Sequence, residues 1–503
     1  MLAGELLERS AARFPERAAI VAGDLTWTYR ALAERAARAG NGLAGLGLAP
    51  GDRVAVLSRN LPDYAALYFG VAQAGMVLVN LSPRMTEREI AALLTRTGAT
   101  CLIVDPALEP LATAATAKLS LQRIVIGKAF DALVDGASAA PPAAAVSPDD
   151  PYCVTFTGGT SGTPKGVVVT QRNRCEIAET VAREFGLSDG DRICVSTPLF
   201  HTAGLFVWFQ PGIATGCTCV LLPTWDTGAF IDAVAAGASA SLLVPTQLSD
   251  LLNHERFDPA RMRALKRIVY AGAPIAESIL SRLSDALPWV EFIENYGQSE
   301  IGPGTVRRGS DLPAKAGSIG RAIRGVEMAV LTPSGEPAQP GEVGELASRG
   351  PYVLHEYYGD PKTTADLFRY GDGWAATGDA ATMDEDGFFT LVDRLKDMIV
   401  SGGENIYPAE LEMALDKHPD VEECAVFGIP DDRLGEVPAA HVVLRDGAEM
   451  TAEALIDFCC GEVARYKRPR LVAFVDSLPR TAIGKIQKNL LREPYWQGGR
   501  RRV

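Results

Sequence analysis

Short apolar runs alternate with longer amphipathic stretches in the N-terminal part of the chain. Two of the apolar runs flank Gly23-Asp24, a turn pair that predicts a β-hairpin, and Thr86 with Glu89 forms a capping box that predicts a helix start. Because strands followed by helices usually build a parallel sheet, this part is predicted to be α/β. The predicted strands are Ala18–Ala22, Leu25–Thr28, Arg53–Leu57 and Cys101–Val104, and the predicted helices are Tyr29 to about Leu46 and Asp63–Ala74.

The pattern changes further along the chain. Residues 134–148 are rich in Ala and Pro and predict a linker or surface loop, after which a second α/β stretch runs from about 151 to 310. Residues 317–392 contain more Gly, Pro and short alternating runs, which predicts a small β-rich lobe. A boundary is expected near Asp393–Asp397, and the segment beyond it has the size of a small domain.

Composition adds constraints on the class of protein. Hydrophobic residues make up 47% and charged residues 22% of the chain, and the formal net charge is −13, which argues against non-specific nucleic-acid binding. We predict neither a signal peptide nor a membrane-spanning helix, since the N-terminus lacks an apolar core and no long apolar run occurs. The nine cysteines lack zinc-ligand spacing, so we expect free buried thiols in a reducing cytoplasm.

The strongest chemical signal is the segment Thr157–Gly166, TGGTSGTPKG, directly after the apolar run Tyr152–Phe156. Glycines let backbone N–H groups approach phosphate oxygens, hydroxyl side chains add donors, and Lys165 adds positive charge. It is not a Walker P-loop, because Pro164 and Gly166 flank the lysine. The pattern predicts a phosphate-binding loop, with a flexible surface turn as the alternative.

This loop and five further motifs resemble the adenylate-forming superfamily of acyl- and aryl-CoA synthetases, luciferases and adenylation domains of peptide synthetases. The motifs occur in the order of that family and span nearly the whole chain. The further motifs are Pro198–Gly204 (PLFHTAG), Ala271–Pro274 with Asn295–Glu300 (NYGQSE), Trp374–Asp379 (WAATGD), Asp393–Glu412 and Pro479–Lys488 (PRTAIGKIQK).

The resemblance implies a site for ATP and AMP. Glu300 resembles the family's magnesium-linked carboxylate, and Thr160 is expected to join it at the metal. Asp379 resembles the aspartate that binds both ribose hydroxyls, Arg394 the arginine that helps hold the nucleotide, and Tyr296 offers a face for stacking the purine. The residues expected at this site are Thr157, Gly158, Gly159, Thr160, Ser161, Gly162, Thr163, Lys165, Gly272, Ala273, Pro274, Asn295, Tyr296, Gly297, Gln298, Ser299, Asp379, Arg394 and Lys485.

The same resemblance implies that Lys485 is a mobile lysine that bridges the substrate carboxylate and the α-phosphate, offsetting the repulsion between two anions. His201 is expected at the mouth of the acid pocket. Together with Thr160 and Glu300 these are the predicted catalytic residues.

Two orientations of the chain are implied, because the thiol must reach the place that Lys485 occupies during adenylation. Lys396 aligns with the family's hinge residue. The implied fold is α/β, with an N-terminal domain over 1–393 of two α/β sheet lobes and a small β-rich lobe, a hinge over 394–397, and a small mobile α+β domain over 398–503. The expected coenzyme A contacts are Ser401, Gly402, Gly403, Tyr466 and Arg468.

Each residue taken singly has a plainer interpretation. These are a core position for Tyr296 and His201, a turn cap for Asp379, a solvated surface charge for Glu300, Arg394 and Lys485, and a basic surface turn for Tyr466–Pro469. Gly158 also departs from the common loop, which has Ser there; this removes one hydroxyl donor and keeps the backbone N–H.

The expected function is an ATP- and Mg²⁺-dependent acid–thiol ligase that forms an acyl-adenylate and passes the acyl group to coenzyme A. Its partners are expected to be small molecules, and a homodimer is left open. The alternatives are a stand-alone adenylation enzyme that loads a carrier protein and a non-catalytic binding protein on the same fold.

The segments expected to line the acid pocket contain no Arg or Lys. A second substrate carboxylate would be costly to bury without a cation. The C-terminal motif resembles short-dicarboxylate (malonate-type) synthetases, but Asn295 stands where that group is expected to carry a cation. A medium-chain or aromatic acid is therefore favoured over a dicarboxylate. The lining segments are Phe200–Phe206, Val244–Gln247, Gly272–Ile275 and Gly297–Gly302.

Overall fold

The computed structural model describes residues 2–157, 164–273, 275, 277–402, 404–459, 462–480 and 486–496. Contacts within the chain separate two compact units, residues 1–328 with 348–375 and residues 329–347 with 376–503.

The strands are β1 Ala18–Ala22, β2 Leu25–Thr28, β3 Arg53–Leu57, β4 Val77–Leu81, β5 Cys101–Val104, β6 Gln122–Val125, β7 Pro151–Thr157, β8 Lys165–Thr170, β9 Arg192–Val195, β10 Thr218–Leu221, β11 Ala240–Leu243, β12 Arg267–Ala271, β13 Glu291–Gln298, β14 Gly302–Arg308, β15 Arg321–Ala322, β16 Glu327–Leu331, β17 Gly344–Arg349, β18 Glu356–Tyr357, β19 Ala375–Met383, β20 Phe389–Arg394, β21 Ile399–Ser401, β22 Glu404–Ile406, β23 Val421–Asp431, β24 Gly435–Leu444 and β25 Leu471–Phe474.

The helices are α1 Ala3–Arg13, α2 Tyr29–Gly45, α3 Pro62–Gln73, α4 Glu87–Thr97, α5 Glu109–Thr116, α6 Lys128–Asp135, α7 Cys175–Glu184, α8 Gln210–Thr215, α9 Thr227–Ala235, α10 Pro245–Asn253, α11 Glu277–Ala286, α12 Pro361–Leu367, α13 Pro408–Leu415, α14 Ala452–Phe458 and α15 Lys488–Arg492. A π-helix, Ala203–Phe209, runs directly into α8.

The first unit is built on two mainly parallel sheets. Among the described residues, one sheet has the strand order β15-β14-β13-β12-β11-β9-β10-β1-β2 and the other β18-β8-β7-β4-β3-β5-β6. Strand β12 is parallel to β13, which places Ala271 beside Asn295, and β7 is antiparallel to β8, with Thr157 opposite Lys165. Thr157, Gly272 and Gln298 therefore lie at or just beyond the carboxyl ends of β7, β12 and β13, where open α/β sheets bind their ligands.

Apolar burial holds this unit together. Helix α3 is buried from Tyr64 to Ala72, because it packs against α1, α2, β4 and β7. Its Tyr68 meets Tyr152 and Phe206 edge-on at ring centroid distances of 5.8 and 6.0 Å. Each such ring contributes about 1.5–3 kcal/mol by leaving water. The cluster fixes the π-helix that follows His201.

The second unit contains a small sheet in the order β16-β17-β19-β20 and a sheet in the order β22-β21-β24-β23, with β25 parallel to β24. Ile399, Leu411, Val426 and Val442 form part of its buried core. Residues 329–347 and 376–394 thus belong to the same compact unit as the C-terminal residues. The predicted domain boundary at 393/394 stays a prediction.

The local predictions agree closely with the elements. The hairpin β1–β2, the strands β3 and β5, and the capping box of α4 are confirmed. The predicted helix ends differ by one residue from those of α2 and α3. The mixed α/β class with several sheets and a small C-terminal domain is confirmed as well.

The cysteines that the structure describes are buried free thiols, which confirms their predicted role as core residues. In the same described ranges, no group of three or more His, Cys, Asp or Glu side chains could hold a metal ion. None of the described helices is long and apolar enough to cross a membrane.

Candidate active site

The ends of the predicted phosphate loop are held by strand pairing. Thr157 and Lys165 face each other at the open end of the β7–β8 pair, and the Thr157 hydroxyl donates to the Lys165 carbonyl at 3.5 Å. The ammonium of Lys165 lies 5.1 Å from the centroid of the Tyr357 ring, within cation–π range. The loop residues Gly158, Gly159, Thr160, Ser161, Gly162 and Thr163 lie outside the described residues.

Glu300 is fixed from two sides. Its carboxylate accepts a hydrogen bond from the Tyr357 hydroxyl at 2.8 Å, and its carbonyl accepts one from the Leu354 N–H at 2.6 Å. Burial, followed by the negative charge of Glu300, raises the pKa of Tyr357, so the phenol remains a donor. A half-buried carboxylate held in this way fits a Mg²⁺ ion carried mainly by nucleotide phosphates.

Sequence reasoning missed Tyr357. It lies in β18, paired with Val167 of β8, and it belongs to none of the motifs. Its proximity to both Lys165 and Glu300 is set by that long-range strand pairing. A local sequence signal could not have revealed it.

Two motifs far apart in sequence meet at Thr202. Its hydroxyl donates to the Ser299 hydroxyl at 3.0 Å and lies 3.4 Å from the Thr155 hydroxyl. The preceding residue, His201, accepts at Nδ1 from the Ala203 N–H at 3.2 Å. This contact fixes the ring, with Nδ1 as the acceptor.

The nucleotide motif on β13 divides its side chains between two roles. Asn295 is buried and its amide donates to the Thr305 carbonyl of β14 at 2.9 Å, which supports the strand pairing. Tyr296 is half-buried, and the Gln298 amide donates to its hydroxyl at 3.3 Å. Gly297 is exposed beside them, as are Gly272 and Ala273 at the end of β12. Pro274 lies outside the described residues.

In the second unit, Asp379 and Arg394 form an ion pair. They stand opposite each other on the antiparallel strands β19 and β20, and Arg394 Nε lies 2.6 Å from Asp379 Oδ1. The Asp379 side chain is 4% exposed while that of Arg394 is 43% exposed. The sequence predicted both residues as nucleotide contacts. The register of β19 and β20 additionally makes them an ion pair.

The predicted hinge follows directly. Lys396 is exposed, yet its pKa is lowered, chiefly by desolvation from the surrounding protein and further by Arg394 and Arg492, against the opposing charge of Asp397. Its neighbour Asp397 accepts a hydrogen bond from Arg492 of α15 at 2.9 Å, with both side chains 15% exposed. The predicted catalytic Lys485, shortly before α15, lies outside the described residues.

The predicted coenzyme A residues are only partly described. Ser401 is buried in β21, and Gly402 has a positive φ of 61° and donates its N–H to the Leu434 carbonyl at 2.8 Å. Gly403 and the Tyr466 side chain lie outside the described part, and the backbone of Arg468 follows a short 3₁₀ turn. In that turn Lys467 is paired with Glu410 at 2.7 Å.

The described site residues fall into two sets. Thr157, Lys165, His201, Ser299 and Glu300 belong to the first unit, and Asp379, Arg394, Lys396, Ser401 and Gly402 belong to the second.

Comparison with known proteins agrees with the predicted family. The model of the AMP-binding enzyme family matches residues 7–358, and that of the AMP-binding enzyme C-terminal domain matches residues 410–485. A feruloyl-CoA synthase from Amycolatopsis sp is 39% identical over 489 residues, covering 97% of this chain and 98% of that protein. The long-chain-fatty-acid–CoA ligase FadD13 from Mycobacterium tuberculosis is 33% identical and covers 94% of each chain.

Solved structures show the same architecture. ATP-bound MatB from Rhodopseudomonas palustris has a TM-score of 0.91 at 29% identity, covering 98% of this chain and 99% of that one. The anthranilate CoA ligase AuaEII in complex with anthranoyl-AMP has a TM-score of 0.88 at 27% identity, covering 98% and 97%. The chain belongs to the AMP-binding enzyme family and is an ATP-dependent carboxylic acid–CoA ligase of the adenylate-forming kind.

Proposed function

We propose that this ligase acts on a phenylpropenoic acid, the class of aromatic acids that includes ferulic acid. The observation that carries the proposal is the 39% identity to feruloyl-CoA synthases across 97% of the chain. The π-helix Ala203–Phe209, which follows His201 and packs its Phe206 ring on Tyr68 and Tyr152, gives this segment the apolar character that an aromatic acid requires. A medium-chain fatty acid is the second substrate class, supported by the similarity to fatty-acid ligases.

In the first half-reaction the acid attacks the α-phosphate of ATP and pyrophosphate leaves. We assign Lys165 and the backbone of the loop after Thr157 to the phosphates, and the Asp379–Arg394 pair to the ribose. Mg²⁺, with Glu300 and Thr160 as its protein ligands, would neutralise phosphate charge. Lys485 is proposed to bridge the two reacting anions, and His201, held by the Ala203 N–H, to orient the carboxylate.

In the second half-reaction the thiol of coenzyme A attacks the acyl-adenylate and AMP leaves. We propose that residues 398–503 turn about the hinge 394–397 between the two steps, bringing Ser401, Gly402 and Gly403 to the pantetheine chain and Tyr466 and Arg468 to the nucleotide end.

Two alternatives within the same chemistry remain to be compared. ATP-bound MatB resembles the fold closely, yet the Asn295 side chain is neutral and engaged with Thr305. Transfer to a carrier protein is the activity in the name of ScoC from Streptomyces coeruleorubidus, a fatty acid–[acyl-carrier-protein] ligase 34% identical to this chain. The first alternative predicts a dicarboxylic acid as the substrate, and the second predicts a carrier protein instead of coenzyme A as the acceptor.

The test is a panel of acids with ATP, Mg²⁺ and either coenzyme A or a phosphopantetheinylated carrier protein. Phenylpropenoic acids should give AMP, pyrophosphate and a coenzyme A thioester, with higher kcat/KM than octanoate, malonate or succinate. Release of ADP and phosphate would exclude the adenylate mechanism. A higher kcat/KM for malonate would replace the aromatic class by the dicarboxylates.

A further inference from the structure

Arg174 is a buried cation with unused hydrogen-bond donors. It directly precedes α7, and its side chain is fully buried at 0% exposure. Its Nη2 donates to the Ser299 carbonyl at 2.5 Å, whereas Nε and Nη1 have no hydrogen-bond partner among the described residues. Buried guanidinium donors are almost always paired, since leaving them unpaired forfeits their hydration without compensation.

Arg174 lies between the predicted lining of the acid pocket and the buried Tyr68–Tyr152 hydroxyl pair of the core. Besides Ser299, its Cζ lies 5.8 Å from the ring centroid of Phe206 in the π-helix. Gly302 lies against the guanidinium: a Cβ there would be 2.0 Å from Nη1, and its φ of 68° also favours glycine. Ser299, which accepts a hydrogen bond from Arg174, also accepts one from Thr202, the residue after His201. Ser299 therefore connects the guanidinium to the segment that carries His201.

This placement changes the expectation drawn from sequence. The lining segments contain no Arg or Lys, but a cation reaches them from a position outside all of them. Burial lowers the pKa of Arg174 to about 10, so the side chain is still charged at neutral pH. Tyr152, Glu300 and Tyr68 favour its charged form, yet none of them forms a hydrogen bond with Nε or Nη1, which leaves both groups for another acceptor.

We propose that Arg174 determines substrate specificity by donating from Nε or Nη1 to an oxygen at the end of the acid remote from its reacting carboxylate. This inference rests on the proposed aromatic substrate, for which the oxygen is a phenolic or methoxy group on the ring. An apolar analogue without that oxygen leaves the donors as unpaired as they are in the free protein, so it gains none of the free energy of that charged hydrogen bond.

The measurement is the ratio of kcat/KM for 4-hydroxycinnamate to that for cinnamate, two acids that differ only in the ring oxygen. The wild-type protein should prefer the hydroxylated acid by about 10- to 100-fold. Arg174→Met, which keeps an unbranched side chain, should bring the ratio close to one while cinnamate itself is still used. The matched control is Arg172→Met, because Arg172 is exposed and pairs with Asp149 at 2.5 Å; it should keep the wild-type ratio.

If Arg174 has a purely structural role, such as holding the turn at Ser299, Arg174→Met should lower kcat/KM for both acids equally. The ratio would then stay unchanged, and this result overturns the proposal. A ratio near one in the wild-type protein also overturns the proposal, and this measurement does not require the variant to fold. The same ratio is expected if an internal water, rather than the acid, accepts the hydrogen bonds of the guanidinium. If wild-type protein forms no thioester from either acid, the aromatic proposal itself fails. The pair succinate and butyrate then decides: a preference for succinate that Arg174→Met removes would assign a second carboxylate, not a ring oxygen, to Arg174.

Discussion

The hydroxyl of Tyr357 offers a direct test of how Glu300 is held. Replacing Tyr357 by Phe removes only the donor to Glu300 Oε1 at 2.8 Å. The ring remains, and with it the contact to the Lys165 ammonium. The substitution therefore isolates one hydrogen bond to a carboxylate. If that carboxylate holds Mg²⁺ and ATP, its freedom to rotate should appear in the kinetics of the first half-reaction.

The expected size follows from the bond that is lost. A hydrogen bond to a charged group contributes about 1.5–3 kcal/mol, and about 1.4 kcal/mol corresponds to a factor of ten. We expect kcat/KM for ATP to fall about tenfold, the lower end of that range, because Glu300 is only half-buried and water can replace the phenol. For the same reason the melting temperature should fall by only about 2 °C.

The assay is ATP–pyrophosphate exchange at varied ATP and Mg²⁺, with the acid saturating. Tyr357→Phe should raise the Mg²⁺ concentration needed for half-maximal exchange and leave KM for the acid unchanged. The control is Tyr358→Phe in the next residue, whose hydroxyl donates to the Thr97 carbonyl at 3.0 Å. Equal losses in the two variants, or a loss below twofold in Tyr357→Phe, would refute the assignment of Tyr357 to Glu300.

Three further substitutions test the remaining parts of the mechanism. Lys485→Ala should slow adenylation by about 10²–10³-fold and leave thioester formation from synthetic acyl-adenylate and coenzyme A unchanged; a folded variant that loses both steps contradicts the two-orientation mechanism. Lys396→Pro should fix the backbone and suppress one half-reaction far more than the other, and equal suppression would reduce Lys396 to a linker residue. Asp379→Asn should raise KM for ATP in exchange assays with little change in melting temperature, since the Arg394 side chain it leaves is 43% exposed; an unchanged KM would exclude a ribose contact.

Sequence predicted best what is decided locally. The run Cys101–Val104 is buried at all four positions, so its apolar character alone marks the strand β5. The ends of α4 are equally local, because Thr86 and Glu89 cap one end and Gly98 with a positive φ closes the other. The site motifs were likewise recognised from contiguous residues, including Thr202 and Ser299, whose contact the structure adds.

What sequence could not predict depends on partners far apart in the chain. Tyr357 is separated from Glu300 by 57 positions and Arg174 from Ser299 by 125. Neither residue lies in a distinctive local pattern, so each appears as an ordinary aromatic or charged position. The grouping of strands 329–347 with the C-terminal residues has the same origin, since the pairing of β17 with β19 sets it.

The ion pairs of the second unit locate the proposed hinge more narrowly than the family resemblance, which implied residues 394–397. Arg394 is tied to Asp379, and the Leu395 N–H donates to the Gly378 carbonyl at 2.9 Å, so the chain up to Leu395 is fastened to β19. Asp397 is tied instead to Arg492 of α15, which follows the Lys485 segment. A rotation that moves Lys485 relative to the proposed ribose contact of Asp379 is therefore expected between these two attachments, at Lys396. It would disrupt the turn hydrogen bonds that the N–H groups of Asp397 and Met398 donate to the Arg394 carbonyl, and the hydrogen bond that the Ala409 N–H donates to the Asp393 carboxylate across the hinge, while the β19–β20 ladder and both ion pairs persist.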